Sequence, residues 1–156
     1  MATYTGYDGI LKIADATTGG ADSESALAMV AIGNLRNFSI EQSQDAVEVT
    51  SMGDAGYRTY QPGLSTFTLS GDVYFDGTDS ATNPHLKLDE MVSRTGGEQL
   101  ATFEAYPSGN ASSVGNVKLS GSCIITSFSI TSSVDGLVEA SFSAQGSGAL
   151  TTVTAP

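Results

Sequence analysis

The sequence predicts a mainly β protein: a β-sandwich or small barrel of antiparallel strands, flanked by one α-helix. Hydrophobic residues make up 40% of the chain and charged residues only 15%, and much of the rest is Ser, Thr and Gly. This composition suits twisted sheets with many turns better than a helical bundle. The length of 156 residues fits one domain, 1–156, with a core of its own.

A hairpin with one buried face is predicted for residues 38–49. Apolar and polar residues alternate from Phe38, and they alternate again from Val47. Polar residues at Gln44 and Asp45 separate the two runs and predict a turn. We therefore expect two short strands joined at residues 44–45.

The other strands are predicted from apolar or alternating runs that end at loops and turns. They lie at residues 9–14, 27–32, 64–75, 100–106, 117–133 and 138–144. Pro-Gly at 62–63 and Asp-Gly at 135–136 are turn signals before two of these strands. The segment from Gly146 onward is small and polar, so both termini are expected to be flexible.

One helix is predicted at about residues 84–95. Pro84 suits the first helical position. Leu88, Met91 and Val92 follow at positions i, i+3 and i+4 and form one apolar stripe. A pair of glycines then ends the helix.

The segment from Phe38 to Thr50 recurs, with one inserted residue, between Phe128 and Ser141. Both copies begin with Phe-Ser-Ile and continue through an acidic residue to Val-Glu. Two amphipathic hairpins can resemble each other by chance. Alternatively, the sheet contains two equivalent hairpins that lie side by side.

No group of residues in the sequence forms a recognisable active site or cofactor site. The single cysteine, Cys123, and the single histidine, His85, are too few for a zinc site, and no nucleophile elbow is present. Asp72, Asp76 and Asp79 surround one loop but lack the spacing and the closing Glu of a calcium-binding EF-hand. We predict no catalytic residue, no metal and no cofactor.

The charge excludes nucleic-acid binding through neutralisation of phosphates. The formal net charge is −11, from 17 acidic and 6 basic residues. The polar faces of the two predicted hairpins consist mainly of Ser, Thr, Asn and Glu, and we expect no basic residue there. Apolar runs are also too short to span a membrane, and the N-terminus lacks the features of a secretory signal, so we expect folding in a cytoplasm.

Several motifs occur in an order that resembles the major tail tube proteins of long-tailed, siphovirus-like bacteriophages. They are GNLRNFSI at 33–40, VTSMGD at 49–54, YRTY at 57–60, PGL at 62–64 and FD at 75–76. A short helix follows them, as it does in that family. The resemblance extends over roughly residues 30–145.

The resemblance implies a structural virion protein, not an enzyme, that assembles as stacked hexameric rings into the tail tube. Inner strands of neighbouring subunits would join edge to edge around an acidic, polar lumen that lets DNA pass without binding it. Implied partners are further copies of the chain and the tape-measure, tail-tip and tail-terminator proteins. The flexible termini would become ordered on stacking.

By the same resemblance, residues near 50–61 form an arm or loop that reaches a neighbouring ring. Aromatic residues and Arg are frequent anchors of interfaces. The interface candidates are Thr50, Asp54, Tyr57, Arg58 and Tyr60. The lumen-facing candidates are Ser39, Glu41, Ser43, Glu48, Ser129, Thr131, Glu139 and Ser141.

Two other functions are compatible with a β-rich, self-associating sequence. One is another virion component, such as a head-decoration or tail-completion protein. The other is a β-sandwich carbohydrate-binding module, which would need exposed aromatic residues on one face. The chain has no Trp, and its six Tyr are scattered.

Overall fold

A computed structural model describes residues 9–16, 30–75, 77, 84–93, 100–109 and 116–154. The strands are β1 Ile10–Ala16, β2 Val30–Ala31, β3 Leu35–Glu48, β4 Tyr60–Tyr74, β5 Leu100–Tyr106, β6 Val117–Thr131 and β7 Glu139–Thr154, and the helix is α1 Pro84–Ser93. Several predicted features lie outside the described residues: the N-terminal segment before residue 9, positions 27–29 of the predicted strand 27–32, positions 94–95 of the predicted helix, and Asp76 and Asp79.

The strands within the described residues form one antiparallel sheet in the order β2-β1-β5-β6-β7-β4-β3. This confirms the prediction of a mainly β protein with antiparallel strands. The strand pairings do not by themselves establish a sandwich or a small barrel, so that part of the prediction stays a prediction. The boundaries of a single domain over 1–156 also stay a prediction.

The core lies on one face of this sheet, as the alternation of residues dictates. Every second residue is buried between residues 67 and 73 of β4 and between residues 140 and 144 of β7, because successive side chains of a strand point to opposite faces. The buried members on these two strands are Phe67, Leu69, Val73, Ala140, Phe142 and Ala144. Side chains from β1, β5, β6 and α1 complete the core cluster.

The sheet curls over its own core. The rings of Phe67 on β4 and Phe103 on β5 are 5.8 Å apart between centroids, although β6 and β7 lie between these strands in the sheet. Strand β1 also contacts β3, although four strands lie between them in the sheet. The two ends of the sheet therefore approach each other around the buried side chains.

Helix α1 lies within the range predicted from the sequence and packs against β6 and β1. Leu88 and Met91 of the predicted apolar stripe are buried, whereas Val92 is 39% exposed. His85 is buried at the start of the helix, where Nε2 lies 3.2 Å from the carbonyl oxygen of Gly33. Its ring also meets the ring of Phe75 edge-on.

The predicted turn at residues 44–45 is wrong. Strand β3 continues through this point, and its register against β4 shifts between Gln44 and Ala46. Such a shift is a β-bulge, which accommodates extra residues without reversing the chain. The chain reverses farther on, at residues 49–59.

The predicted turn at Pro62-Gly63 is also wrong, because both residues lie within β4. Pro62 pairs with Ala46 at the same bulge, in a part of β4 that pairs only with β3. Proline is tolerated at bulges and at strand edges, where a backbone donor is dispensable. The Asp-Gly turn at 135–136 is present, and the amide of Gly136 lies 3.5 Å from the carbonyl oxygen of Ser133.

The polar C-terminal segment is a strand rather than a flexible tail up to residue 154. Residues 146–154 form the second half of β7 and pair with residues 117–123 of β6. The segment is rich in Thr, which favours extended structure. Its small residues are held by cross-strand hydrogen bonds instead of a large buried surface.

The repeated sequence is only partly reflected in the fold. Hairpins β3–β4 and β6–β7 do lie side by side, because β4 pairs with β7. Phe38 and Phe128 both occupy the outer strands of this pair of hairpins. Val47, however, continues β3, whereas Val138 lies after the turn and just before β7.

Candidate assembly surfaces

The face of β6, β7, β4 and β3 that points away from the core is polar; we call it the polar face. A row of four serines crosses it in register: Ser127, Ser143, Ser70 and Ser39. The hydroxyl groups of Ser127 and Ser143 are 3.0 Å apart, and those of Ser39 and Ser70 are 2.9 Å apart. These short polar side chains form hydrogen bonds in pairs across the strands, and the surface that they form is accessible to solvent.

The next row of the polar face adds an acidic group. Ser129 and Ser141 hydroxyls are 2.7 Å apart, and the amide nitrogen of Asn37 donates to a carboxylate oxygen of Asp72 over 3.0 Å. Ser141 pairs with Asp72 between these two contacts. Asp72 is thus part of the sheet surface. Asp76 and Asp79, which surround the same loop in the sequence, lie outside the described residues.

All the lumen-facing candidates except Glu48 lie at positions of the polar face. They are Ser39, Glu41, Ser43, Ser129, Thr131, Glu139 and Ser141. Glu48 lies beyond the bulge of β3, where it accepts a hydrogen bond from the hydroxyl of Thr50 over 2.9 Å. It is therefore separated from the others along the strand. The role of the polar face in a channel stays a prediction.

The expectation that the polar face lacks a basic residue is wrong, because Arg36 lies on it. Its guanidinium forms an ion pair with Glu139 over 2.7 Å and stacks 5.1 Å above the ring of Tyr74. A register shift between Leu35 and Asn37 explains this position. The bulge interrupts the strict alternation and turns the side chain of Arg36 outward. A sequence pattern contains no signal for that shift.

Beyond the end of the β4–β7 pairing, β3 and β4 continue as a two-stranded hairpin, which we call the arm (residues 44–66). Strand β7 pairs with β4 only from Thr68 to Tyr74, so within the arm β4 pairs only with β3. Every arm residue is exposed except Asp54 and Gly63, which are partly buried. A two-stranded hairpin without a covered face is only marginally stable in water.

Two of the five interface candidates hold the tip of the arm in shape. The carboxylate of Asp54 accepts a hydrogen bond of 2.6 Å from the amide of Ser51, and this bond is the main reason that the pKa of Asp54 lies below its ordinary value. The hydroxyl of Thr50 accepts a hydrogen bond of 3.0 Å from the amide of Thr59. Thr50 and Asp54 therefore organise the loop.

The other three candidates, Tyr57, Arg58 and Tyr60, point into solvent. Tyr57 is 79% exposed and Tyr60 is 51% exposed, and Met52 beside them is fully exposed. Arg58 forms no ion pair with any residue that the structure describes. Large exposed apolar groups concentrated in one element mark a site of interaction.

The four strands of the two hairpins have a free edge on each side. The outer edge of β3 has no partner strand among the described residues. Strand β5 pairs with β6 only from Leu119 to Cys123, so the later part of β6 is also free on that side. Unpaired edges are templates for association with other chains.

The described residues contain no group of three or more potential metal ligands. Within the same part of the chain, no helix is long and apolar enough to cross a membrane.

One further exposed surface, the turn between β6 and β7, is not among the candidates predicted from the sequence. Its signal is the pair Val134 and Leu137 on either side of an Asp-Gly turn.

A protein with two free strand edges and an uncovered, partly apolar hairpin has the surfaces of an assembly subunit. A family model described as phage tail tube protein matches residues 3–152. The chain belongs to this family, and the predicted resemblance is confirmed. The protein is accordingly a structural component of the virion tail, and not an enzyme.

Solved structures share the fold at low sequence identity. One is a chain of the virion of a native gene transfer agent particle, with a TM-score of 0.69, 21% identity, and coverage of 97% of this chain and 99% of that chain. A second is the tail of an empty gene transfer agent particle, computed with helical refinement and C6 symmetry. Its TM-score is 0.67 at 20% identity, and the match covers 97% of this chain and 99% of that chain. A third is the tail tube of SPP1. Its TM-score is 0.70 at 13% identity, and the match covers 97% of this chain and 80% of that chain. No match was found among curated proteins.

Proposed function

We propose that six copies of the chain form a ring, that rings stack into the tail tube, and that the acidic polar face lines the conduit through which DNA is ejected into the host. The observation that carries this proposal is the four-stranded unit β6-β7-β4-β3 with a free edge on each side. The C6 symmetry of the gene transfer agent tail supports the ring number.

The directions of the strands suit edge-to-edge joining. Successive strands of the unit are antiparallel, so its two outer strands, β6 and β3, run in opposite directions. When a rotation about the tube axis places β3 of one subunit beside β6 of the next, the new pair is antiparallel as well. The alternation then continues around the ring, and closure removes every free edge of the unit.

The apolar residues at the two edges also match. Phe38 and Ile40 on β3 are only partly buried, and so is Phe128 on β6. Ile130 on β6 is 49% exposed. All four lie on the core side of the sheet, so pairing of β3 with a neighbouring β6 would bring these residues together and extend the core across the subunit boundary.

The remainder of the chain would form the outer layer of the tube. The contact between Phe67 and Phe103 and the approach of β1 to β3 support a sandwich or small barrel within each subunit, flanked by α1. The arm would reach a neighbouring subunit through Tyr57, Arg58 and Tyr60, with Thr50 and Asp54 fixing its shape. The ends of the tube would contact the tape-measure, tail-tip and tail-terminator proteins.

Ile130→Glu tests the edge pairing. Burial of a half-exposed Ile is worth about 1 kcal/mol per interface, and a charge at the same site adds a desolvation cost. We expect the variant to remain a folded monomer and to form no tubes in negative-stain electron microscopy at concentrations where the wild type forms long hollow tubes of uniform width. Val92→Glu is the matched control, since Val92 is 39% exposed but lies on α1.

Each outcome has a distinct meaning. Tubes of Ile130→Glu as frequent as those of the wild type and of Val92→Glu would contradict pairing at the β6 edge. Small monodisperse particles of the wild type, even after addition of tail-tip components as an initiator, would contradict the tube proposal itself.

A further inference from the structure

Arg36, Tyr74 and Glu139 lie together on the polar face, one on each of three neighbouring strands, and we call them the arginine cluster. Arg36 projects from the bulge of β3, and its guanidinium carbon lies 5.1 Å from the centre of the Tyr74 ring on β4. Nη1 of the same guanidinium donates a hydrogen bond of 2.7 Å to Oε1 of Glu139 on β7. The side chain of Arg36 therefore reaches across a whole strand to a carboxylate that is 103 positions away in the sequence.

The arginine cluster contributes little to the stability of the subunit. The side chains of Arg36 and Glu139 are 42% and 49% exposed. Exposed ion pairs add little to folding stability, because water already solvates both charges in the unfolded chain. None of the three residues belongs to the hydrophobic core. The main effect of the cluster is therefore on what the polar face presents to a molecule that passes over it.

Arg36 is the one basic residue in the paired strand segments that form the polar face. These segments are residues 35–43, 66–74, 127–131 and 139–145. A guanidinium binds phosphate groups through a planar set of donors, and each contact with a phosphate strengthens the binding of a nucleic acid. In a ring of six subunits, six unpaired arginines would surround a DNA duplex and retain it.

Glu139 and Tyr74 together withdraw Arg36 from contacts of this kind. The carboxylate of Glu139 balances the charge of the guanidinium, and the ring of Tyr74 holds the guanidinium close to the sheet through a cation–π contact. The other acidic residues of the four segments are placed differently. Asp72 accepts a hydrogen bond from Asn37, and Glu41 forms no ion pair with any residue that the structure describes.

We propose that Arg36 is a latent binding site for the phosphodiester groups of DNA, and that Glu139 keeps this site masked. With Glu139 in place the arginine cluster is neutral and DNA passes over it. Without Glu139, the Arg36 side chains of each ring contact phosphates and slow the passage of DNA. The inference rests on the proposed function, because it requires that the polar face lines the conduit. It also gives two acidic residues of one face, Glu41 and Glu139, different effects.

Glu139→Gln tests the mask, because it removes the charge and keeps the size of the side chain. We expect DNA ejection from virions with this variant to be at least about tenfold slower at low salt, and the retardation to disappear as the salt concentration rises. Tubes should be as numerous as in the wild type. The fluorescence of a DNA-binding dye in the medium, after ejection is triggered with host cell envelopes, measures the rate.

Glu41→Gln is the matched control, because it removes the same charge from the same face without releasing a cation. Its ejection rate should stay within about twofold of the wild-type rate. Adding Arg36→Gln to Glu139→Gln should restore the wild-type rate. Equal rates for Glu139→Gln and Glu41→Gln, or a double variant as slow as Glu139→Gln, would overturn the masking of Arg36.

A second measurement does not depend on assembly. Inorganic phosphate is titrated into the unassembled subunit, and the NMR signal of the Arg36 Nε–H group is followed. This signal should shift in Glu139→Gln and stay unchanged in the wild type and in Glu41→Gln. The same response in all three proteins would overturn the masking, whether or not the variant forms tubes.

Glu41→Lys separates this inference from the proposed function, because it places an unpaired cation on the same face. If Glu41→Lys slows ejection and Glu139→Gln does not, the masking is refuted and the lining of the conduit by the polar face stands. If neither variant slows ejection although phosphate shifts the Arg36 signal in Glu139→Gln, the polar face does not line the conduit, and the proposed function is contradicted instead.

Discussion

Replacement of Gly146 by Ala should destabilise the subunit, because the ring of Phe67 occupies the space of a side chain at this position. Gly146 lies where β7 parts from β4. A Cβ atom there would lie 2.5 Å from Cδ1 and Cε1 of Phe67 and 2.6 Å from Cγ. Real Cβ atoms do not approach other heavy atoms so closely, so the ring or the strand must move.

The ring of Phe67 has little room to retreat. Phe67 is 2% exposed, and its ring is packed against Phe103. The Cζ atom of this ring also lies 3.2 Å from the position of a Cβ atom at Gly121. Overpacking of a filled core typically costs about 1–3 kcal/mol, and we expect a loss of about 2 kcal/mol from the free energy of unfolding. That is a substantial part of the roughly 5–15 kcal/mol typical of a folded domain.

Urea unfolding of the monomer, followed by circular dichroism at low protein concentration, measures this loss. Gly33→Ala is the matched control, since a Cβ atom at Gly33 would have no heavy atom within 4 Å. Adding Phe67→Leu to Gly146→Ala should cost less than the sum of the two single changes, because the smaller side chain vacates the contested space. If Gly146→Ala and Gly33→Ala agree within about 0.5 kcal/mol, the steric explanation is refuted.

Two further predictions concern charge. Glu41→Lys on the polar face should slow DNA ejection without reducing the number of tubes, whereas Asp89→Lys on α1 should leave ejection unchanged; equal ejection rates for both would contradict the lumen assignment. Burial raises the pKa of Glu104, but hydrogen bonds from Tyr106 and Lys118 outweigh it, so the folded-state pKa lies below 4.5. Because the folded-state pKa is depressed, its stabilisation is present above about pH 4.5 and is lost as the pH falls through the folded-state value. Glu104→Gln should therefore lose less stability on acidification than the wild type, and parallel acid-unfolding curves would contradict this.

The alternation of residues along the sequence matches the core face of the central strands. Phe67, Leu69 and Val73 recur with period two, and so do Ala140 and Phe142. All five are buried in the structure. This part is readable because the direction of a side chain in a regular strand depends only on its neighbours along the chain.

Local signals were less reliable where the backbone departs from a regular strand. Gln44 and Asp45 suit a turn, but their segment has β4 as its partner over the whole length of β3, so the chain stays extended through a bulge. A second bulge places Arg36 on the polar face beside Glu139. Bulges depend on the register between two strands, and a single strand's sequence does not encode its register.

The sequence by itself predicted a mainly β structural protein that is not an enzyme, and its motifs were sufficient for the family. Only the tertiary structure decided which surfaces are available for assembly: the free edges of β3 and β6, the exposed arm and the exposed turn between β6 and β7. The physical reason is that exposure is a property of the whole fold. Whether Ile130, Tyr57 or Val134 meets water depends on where distant strands end, and no local pattern records that.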